Sequence, residues 1–175
     1  MNKLVSRLLK GNKDYLNNSL NRNISPERRT ETSQNGQHPF AIIITCSDSR
    51  VIPEDIFNCG IGELFVIRVA GNVIGEQELG SIEYATEHLK CQLVVVLGHT
   101  KCGAVTSALS EEGYGYVSYL LKPIKKAIGN EKDLQKAIKI NAIASREIIK
   151  EKFNNSPIEV ISMLYDIESG EVEIL

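Results

Sequence analysis

Residues 40–50, Phe-Ala-Ile-Ile-Ile-Thr-Cys-Ser-Asp-Ser-Arg, join a short apolar run to a thiol, a carboxylate and a guanidinium packed into five positions. A continuous apolar run of this length, rich in β-branched residues, fits a strand buried on both faces, as in parallel sheets covered by helices. Such a strand carries whatever follows it to the carboxyl edge of the sheet, where open α/β folds gather their ligands. Cys46, Asp48 and Arg50 are therefore candidates for chemistry.

Two further runs have the same character, LFVIRVA over residues 64–70 and LVVVLG over residues 93–98. Between them lies LGSIEYATEHLK, residues 79–90, whose Leu79, Ile82, Ala85, Thr86 and Leu89 recur at helical spacing. Strand, helix, strand implies a parallel sheet. Helical spacing returns over Val117–Ile128 and from Leu134 to Phe153. The last stretch, residues 158–175, holds two β-rich segments joined by ESGE, where Gly170 can take the positive φ of a hairpin turn.

Before the first strand, Leu4, Val5, Leu8, Leu9, Tyr15, Leu16 and Leu20 suggest a helical arm, with Gly11 placed to interrupt or cap it. Its leucine face is expected to lie on a neighbouring copy of the chain. The polar stretch from Asn21 to Pro39 reads as an irregular connection. The expected fold is α/β: a mainly parallel central sheet flanked by helices, with an antiparallel C-terminal edge hairpin and an N-terminal helical arm. A single domain covers residues 1–175, of which 1–36 form the arm and connection and 37–175 the core.

A chain of 175 residues with 20 Lys and Arg against 22 Asp and Glu has no basic field to attract nucleic acid or an anionic membrane. No apolar run nears the roughly 18 residues of a membrane span. Four cysteines without a secretory signal are expected to be thiols or metal ligands in the cytoplasm, not a disulfide framework.

The third strand also ends in a polar cluster, GHTKCGAV at residues 98–105, with His99 and Cys102. Cys46, His99 and Cys102 can then share one crevice, and two thiolates with one imidazole are a donor set suited to Zn²⁺ with one position left open. CGAV resembles a helix start, whose amides favour thiolate over thiol. Competing uses of a strand-end cysteine fit less well. Cys46 and Arg50 enclose three residues where a phosphatase loop needs five, and no Cys-x-x-Cys pair exists for thioredoxin-like chemistry. Cys59 and Cys91 fall outside the metal spacing and are expected to be buried or partly buried free thiols; His38 and His88 fall outside it too, with a proton-shuttle role the one use left open to them.

CSDSRV, RVAGN at 68–72, GSIEYATEHL at 80–89 and GHTKCGAV together resemble the β-class carbonic anhydrases. The resemblance implies that Cys46, His99 and Cys102 hold zinc. Asp48 and Arg50 would form a dyad beside the metal, with Asp48 either a fourth ligand in a closed state or an acceptor held off the metal by Arg50. It also maps Gln37 to a substrate-side amide, Phe65 to an apolar wall, Tyr84 to an aromatic residue reaching across a dimer interface, and Gly103 to the substrate side. The implied reaction is the reversible hydration of carbon dioxide to bicarbonate in a homodimer or dimer-based tetramer. Because two thiolates neutralise the dication, Asp48 and Arg50 must help orient the attacking oxygen. Two other uses of the same site remain open: hydrolysis of carbon disulfide or carbonyl sulfide, and a closed, non-catalytic zinc site. The chain has no Trp, so the Trp-containing bicarbonate-inhibition site of some relatives is absent, and the region between Phe153 and Val160 is shorter than in many of them.

Overall fold

A computed structural model describes residues 2–110 and 114–175. Its centre is β1, Ala41–Thr45, with no residue exposed. β1 pairs in parallel with β2, Leu64–Arg68, on one side and with β3, Leu93–His99, on the other. β4, Glu159–Tyr165, adds in parallel to β3, and β5, Val172–Ile174, closes the sheet antiparallel to β4, giving the order β2-β1-β3-β4-β5. The edge hairpin turns through Gly170 at φ +81°. The one hydroxyl in β1 is satisfied: Thr45 Oγ1 donates to the Leu97 carbonyl at 2.9 Å.

Alternate side chains divide the sheet into two faces. Ala41, Ile43, Val95 and Leu97 face the side covered by α1, Lys3–Leu16, and α3, Pro53–Ile56. Ile42, Ile44, Val94 and Val96 face α4, Glu76–Glu87, and α7, Leu134–Lys152. A further apolar cluster joins α5, Gly103–Leu109, and α6, Val117–Ile128, to α7 above the carboxyl edge. Among the described residues, no helix is long and apolar enough to cross a membrane.

The N-terminal region corrects three expectations. Gly11 neither breaks nor caps a helix; it lies within α1, where a Cβ would stand 1.9 Å from the Phe57 carbonyl oxygen. Glycine is needed for that approach, and the adjacent Asn12 secures it by donating to the carbonyls of Ile56 and Gly170 while accepting from the Val172 N–H. The leucine face is not left for a neighbour as a whole, because Val5 and Leu8 are buried in this chain's own core and only Leu16 and Leu20 stand exposed. The stretch from Asn21 to Pro39 is not wholly irregular either. It contains α2, Pro26–Asn35, capped by Ser25 Oγ accepting from the Arg28 N–H and started by proline at its first turn. No residue of α2 is buried, so no apolar period marks it.

Candidate metal centre

The register of the sheet sets the site. Thr45 lies level with Leu97 of β3 and Arg68 of β2, so Cys46, one residue on, leaves β1 beside the end of β3, where His99 is the final residue. Cys102 follows through a turn in which Lys101 takes φ +58°, and it stands at the N-cap of α5. Cys46 Sγ, Cys102 Sγ and a ring nitrogen of His99 all lie within 4.8 Å of one another, and all three residues are buried.

The donor chemistry fits zinc. Tetrahedral Zn²⁺ with S at about 2.3 Å and N at about 2.0–2.1 Å holds its donors about 3.5–3.8 Å apart, inside the 4.8 Å limit that the three atoms keep. His99 Nδ1 faces the Thr100 carbonyl at 2.9 Å. A carbonyl can only accept, so Nδ1 donates here and Nε2 is the nitrogen left to meet a metal. That Nε2 is buried with no hydrogen-bond partner among the described residues, as a metal-ligating nitrogen requires.

Cys46 and Cys102 shift each other's ionisation in opposite directions. The Cys102 thiol beside Cys46, helped by His99 and by the N–H of Gly71 at 3.3 Å, brings Cys46 down to about 4 against the pull of burial. Cys102 is driven up correspondingly, first by its contact with Cys46 and then by burial, although the amides of Ala104 and Val105 oppose this. A dication held between them would favour the thiolate form of both. Cys59 and Cys91 behave as the sequence suggests. Both are buried and free, and burial pushes them up to about 12 and about 11, so they stay neutral thiols.

Asp48 is outside the group of close donor atoms. Its carboxylate is gripped by Arg50, with Nε on Oδ1 at 2.9 Å and Nη2 on Oδ2 at 2.8 Å, and it also accepts the Arg50 backbone N–H at 3.0 Å. The Arg50 hydrogen bonds hold this carboxyl well below the usual carboxylate range. Arg68, at the end of β2, fixes the loop beneath them by donating to the carbonyls of Cys46 at 3.4 Å and Asp48 at 2.8 Å. Sequence reasoning passed over Arg68 as a site residue. The signal was its place in RVAGN, at the end of a strand beside β1.

The remaining candidates divide. Gly103 adjoins Cys102 and is exposed, with nothing within 4 Å of where a Cβ would be, so space lies open there. Phe65 lies level with Ile42, four residues before Cys46, which is about 13 Å along a strand. It packs near Tyr84, ring centroids 6.2 Å apart, and Tyr84 is half-exposed beside His88. Gln37 is exposed in the segment between α2 and β1. Among the described residues, no hydrogen bond joins the side chains of Gln37, Phe65 or Tyr84 to Cys46, His99 or Cys102.

The sheet order, the carboxyl-edge site and its donor set define an α/β protein built to hold a soft divalent metal. The family model for carbonic anhydrase matches residues 41–172. Carbonic anhydrase 2 of Mycobacterium tuberculosis is 35% identical over 152 residues, covering 77% of this chain and 73% of that protein. A carbonic anhydrase of Mycolicibacterium smegmatis is 50% identical over 91 residues, covering 52% of this chain; the chain spans only 44% of that relative's length. Among solved structures, the β-carbonic anhydrase CafA of Aspergillus fumigatus aligns over 99% of this chain and 91% of its own, with a TM-score of 0.72 and 27% identity. A structure reported with two tetrameric β-carbonic anhydrases of Sordaria macrospora aligns over 85% and 91%, with a TM-score of 0.70 and 27% identity. The chain belongs to the carbonic anhydrase family, in its β class.

Proposed function

We propose that this protein catalyses the reversible hydration of carbon dioxide at a zinc site held by Cys46, His99 and Cys102, with Asp48 and Arg50 as a working dyad beside it. The observation that carries the reading is the two-point grip of Arg50 on Asp48. An engaged Asp48 leaves a three-donor site with its fourth position free, which a closed, structural zinc site would not have. When bound, zinc supplies the Lewis acidity that makes water a nucleophile near neutral pH.

The chain's residues do the rest. Thiolates at Cys46 and Cys102 and the neutral Nε2 of His99 satisfy the metal, and the Thr100 carbonyl fixes the ring's orientation. Asp48 accepts a hydrogen bond from the attacking water and so aims its lone pair at the carbon of the substrate. With its carboxyl held so far down, Asp48 is a poor base, so its part is orientation and not proton removal. Arg50 keeps Asp48 ionised and turned from the metal. The space beside Gly103 admits a small apolar substrate next to Cys102.

Gln37 as a substrate-side amide, Phe65 as an apolar wall and Tyr84 as an aromatic residue reaching across a dimer interface complete the reading, in a homodimer or a dimer-based tetramer. Two features support this: Tyr84 stands half-exposed beside Phe65, and the Sordaria macrospora relatives are described as tetrameric. A cytoplasmic location accords with four free cysteines. The test is stopped-flow hydration of carbon dioxide by the zinc-loaded protein and by Cys102→Ser. Activity in the first and its loss in the second are expected; an inert zinc-loaded wild type at every pH sinks the reading.

A further inference from the structure

Gly71 is suspended between the metal site and α7. Its N–H donates to Cys46 Sγ at 3.3 Å, while its carbonyl accepts from Asn141 Nδ2 at 2.8 Å. The next carbonyl, of Asn72, accepts from Ser145 Oγ at 3.0 Å. Asn141 and Ser145 are four apart on one face of α7, and each is only 3% exposed. Two buried polar side chains in mid-helix are costly unless fully used, and both are directed at this one turn.

The turn itself is strained by any side chain at Gly71. Gly71 has φ +72°, and a Cβ there would stand 2.7 Å from Ile124 Cδ1 and 3.0 Å from Ala104 Cβ. Of the interactions around the turn, the Gly71 N–H is the one that touches a metal-ligand atom. Its aim depends on how firmly the other end of the residue is held.

We propose that Asn141 is a positioning residue of the zinc site, acting through Gly71: by fixing the Gly71 carbonyl it holds the Gly71 N–H on Cys46 Sγ and so limits how much charge that sulfur gives the metal. This rests on the reading of Cys46, His99 and Cys102 as zinc ligands. A hydrogen bond to a ligating sulfur withdraws charge from it and leaves the metal more electrophilic. Asn141 touches neither metal nor substrate, so its effect must be visible on the sulfur itself.

The experiment compares wild type, Asn141→Leu, Asn141→Ala and Ser145→Ala, each loaded in turn with zinc and with cobalt(II). Zinc loss to an excess of chelator and the wavelength of the sulfur-to-cobalt charge-transfer band are read on each. Asn141→Leu removes the donor at similar size, and Asn141→Ala, which leaves room for water, serves if the leucine variant does not fold. Expected are a band moved to longer wavelength and zinc release faster by roughly tenfold in the Asn141 variants, with the band unmoved in Ser145→Ala. An unmoved band in a folded Asn141 variant overturns the inference, as does an equal shift in Ser145→Ala, which would mark general loosening of α7. A wild type that takes up neither metal refutes the zinc reading itself, and this inference with it.

Discussion

The guanidinium of Arg50 meets both carboxylate oxygens of Asp48, at 2.9 Å and 2.8 Å, in a loop whose backbone Arg68 ties down. That relationship separates a carboxylate waiting to orient water from one that closes the metal site. Asp48→Asn keeps the shape but gives up the charge and half of the acceptor capacity. Its turnover is expected to fall about 10–100-fold, the usual range for residues that orient the groups around a metal, with zinc content unchanged. Stopped-flow hydration with metal analysis on the same sample checks this; wild-type turnover would remove Asp48 from the mechanism.

The pair also predicts a pH dependence. Asp48 has a folded-state pKa depressed below its unfolded value, so its contribution to stability is fully present above the ordinary carboxylate range and is lost as pH falls through the folded value. Arg50→Met removes the main cause of that depression. The stability gap between wild type and Arg50→Met is therefore expected to hold steady above about pH 5 and to close as pH drops below about 4. Thermal unfolding across that range measures it, and a gap that widens on acidification contradicts the assignment.

Removing the metal should expose how much of the site's order it supplies. The metal-free cluster holds two buried sulfurs that oppose each other's ionisation, beside a buried nitrogen with no partner among the described residues. With zinc present at about a thousand times its Kd, binding contributes about 4 kcal/mol, which for a chain of this size raises Tm by about 8–16 °C. Calorimetry with and without chelator tests this. Cys102→Ser should show little of that rise.

Packing of α1 on its own chain gives a prediction free of the metal. Leu8 has no exposure, and Gly11 lies where a Cβ would strike the Phe57 carbonyl. Leu8→Ala is expected to cost about 2–5 kcal/mol by opening a cavity, and Gly11→Ala about 1–3 kcal/mol by overpacking. Urea unfolding measures both. Losses under about 0.5 kcal/mol would mean that α1 does not rest on this core.

The sequence made the central strands legible because burial leaves an unbroken apolar run in β1 and β3, and β2, at the sheet edge and only partly buried, still carries one up to Arg68. The metal ligands were legible because each follows such a run or belongs to a motif with distinctive side chains. What was missed lacked those signals. α2 buries nothing, so only its Ser25-Pro26 start marks it. Gly11 looks like a breaker until the Phe57 carbonyl is placed against it in space. The grip of Asn141 on Gly71 joins residues 70 positions apart, and in the sequence Asn141 is merely a polar residue at a buried helical position.

The account turns on one ion held by residues from two strand ends, and X-ray absorption at the zinc edge, combined with metal analysis, tests that most directly. One zinc per chain is predicted, with two sulfurs at about 2.3 Å and a lighter shell at about 2.0–2.1 Å, and with the sulfur shell lost or reduced to one in Cys102→Ser. A wild type without stoichiometric zinc, or an unaltered two-sulfur shell in Cys102→Ser, would contradict it.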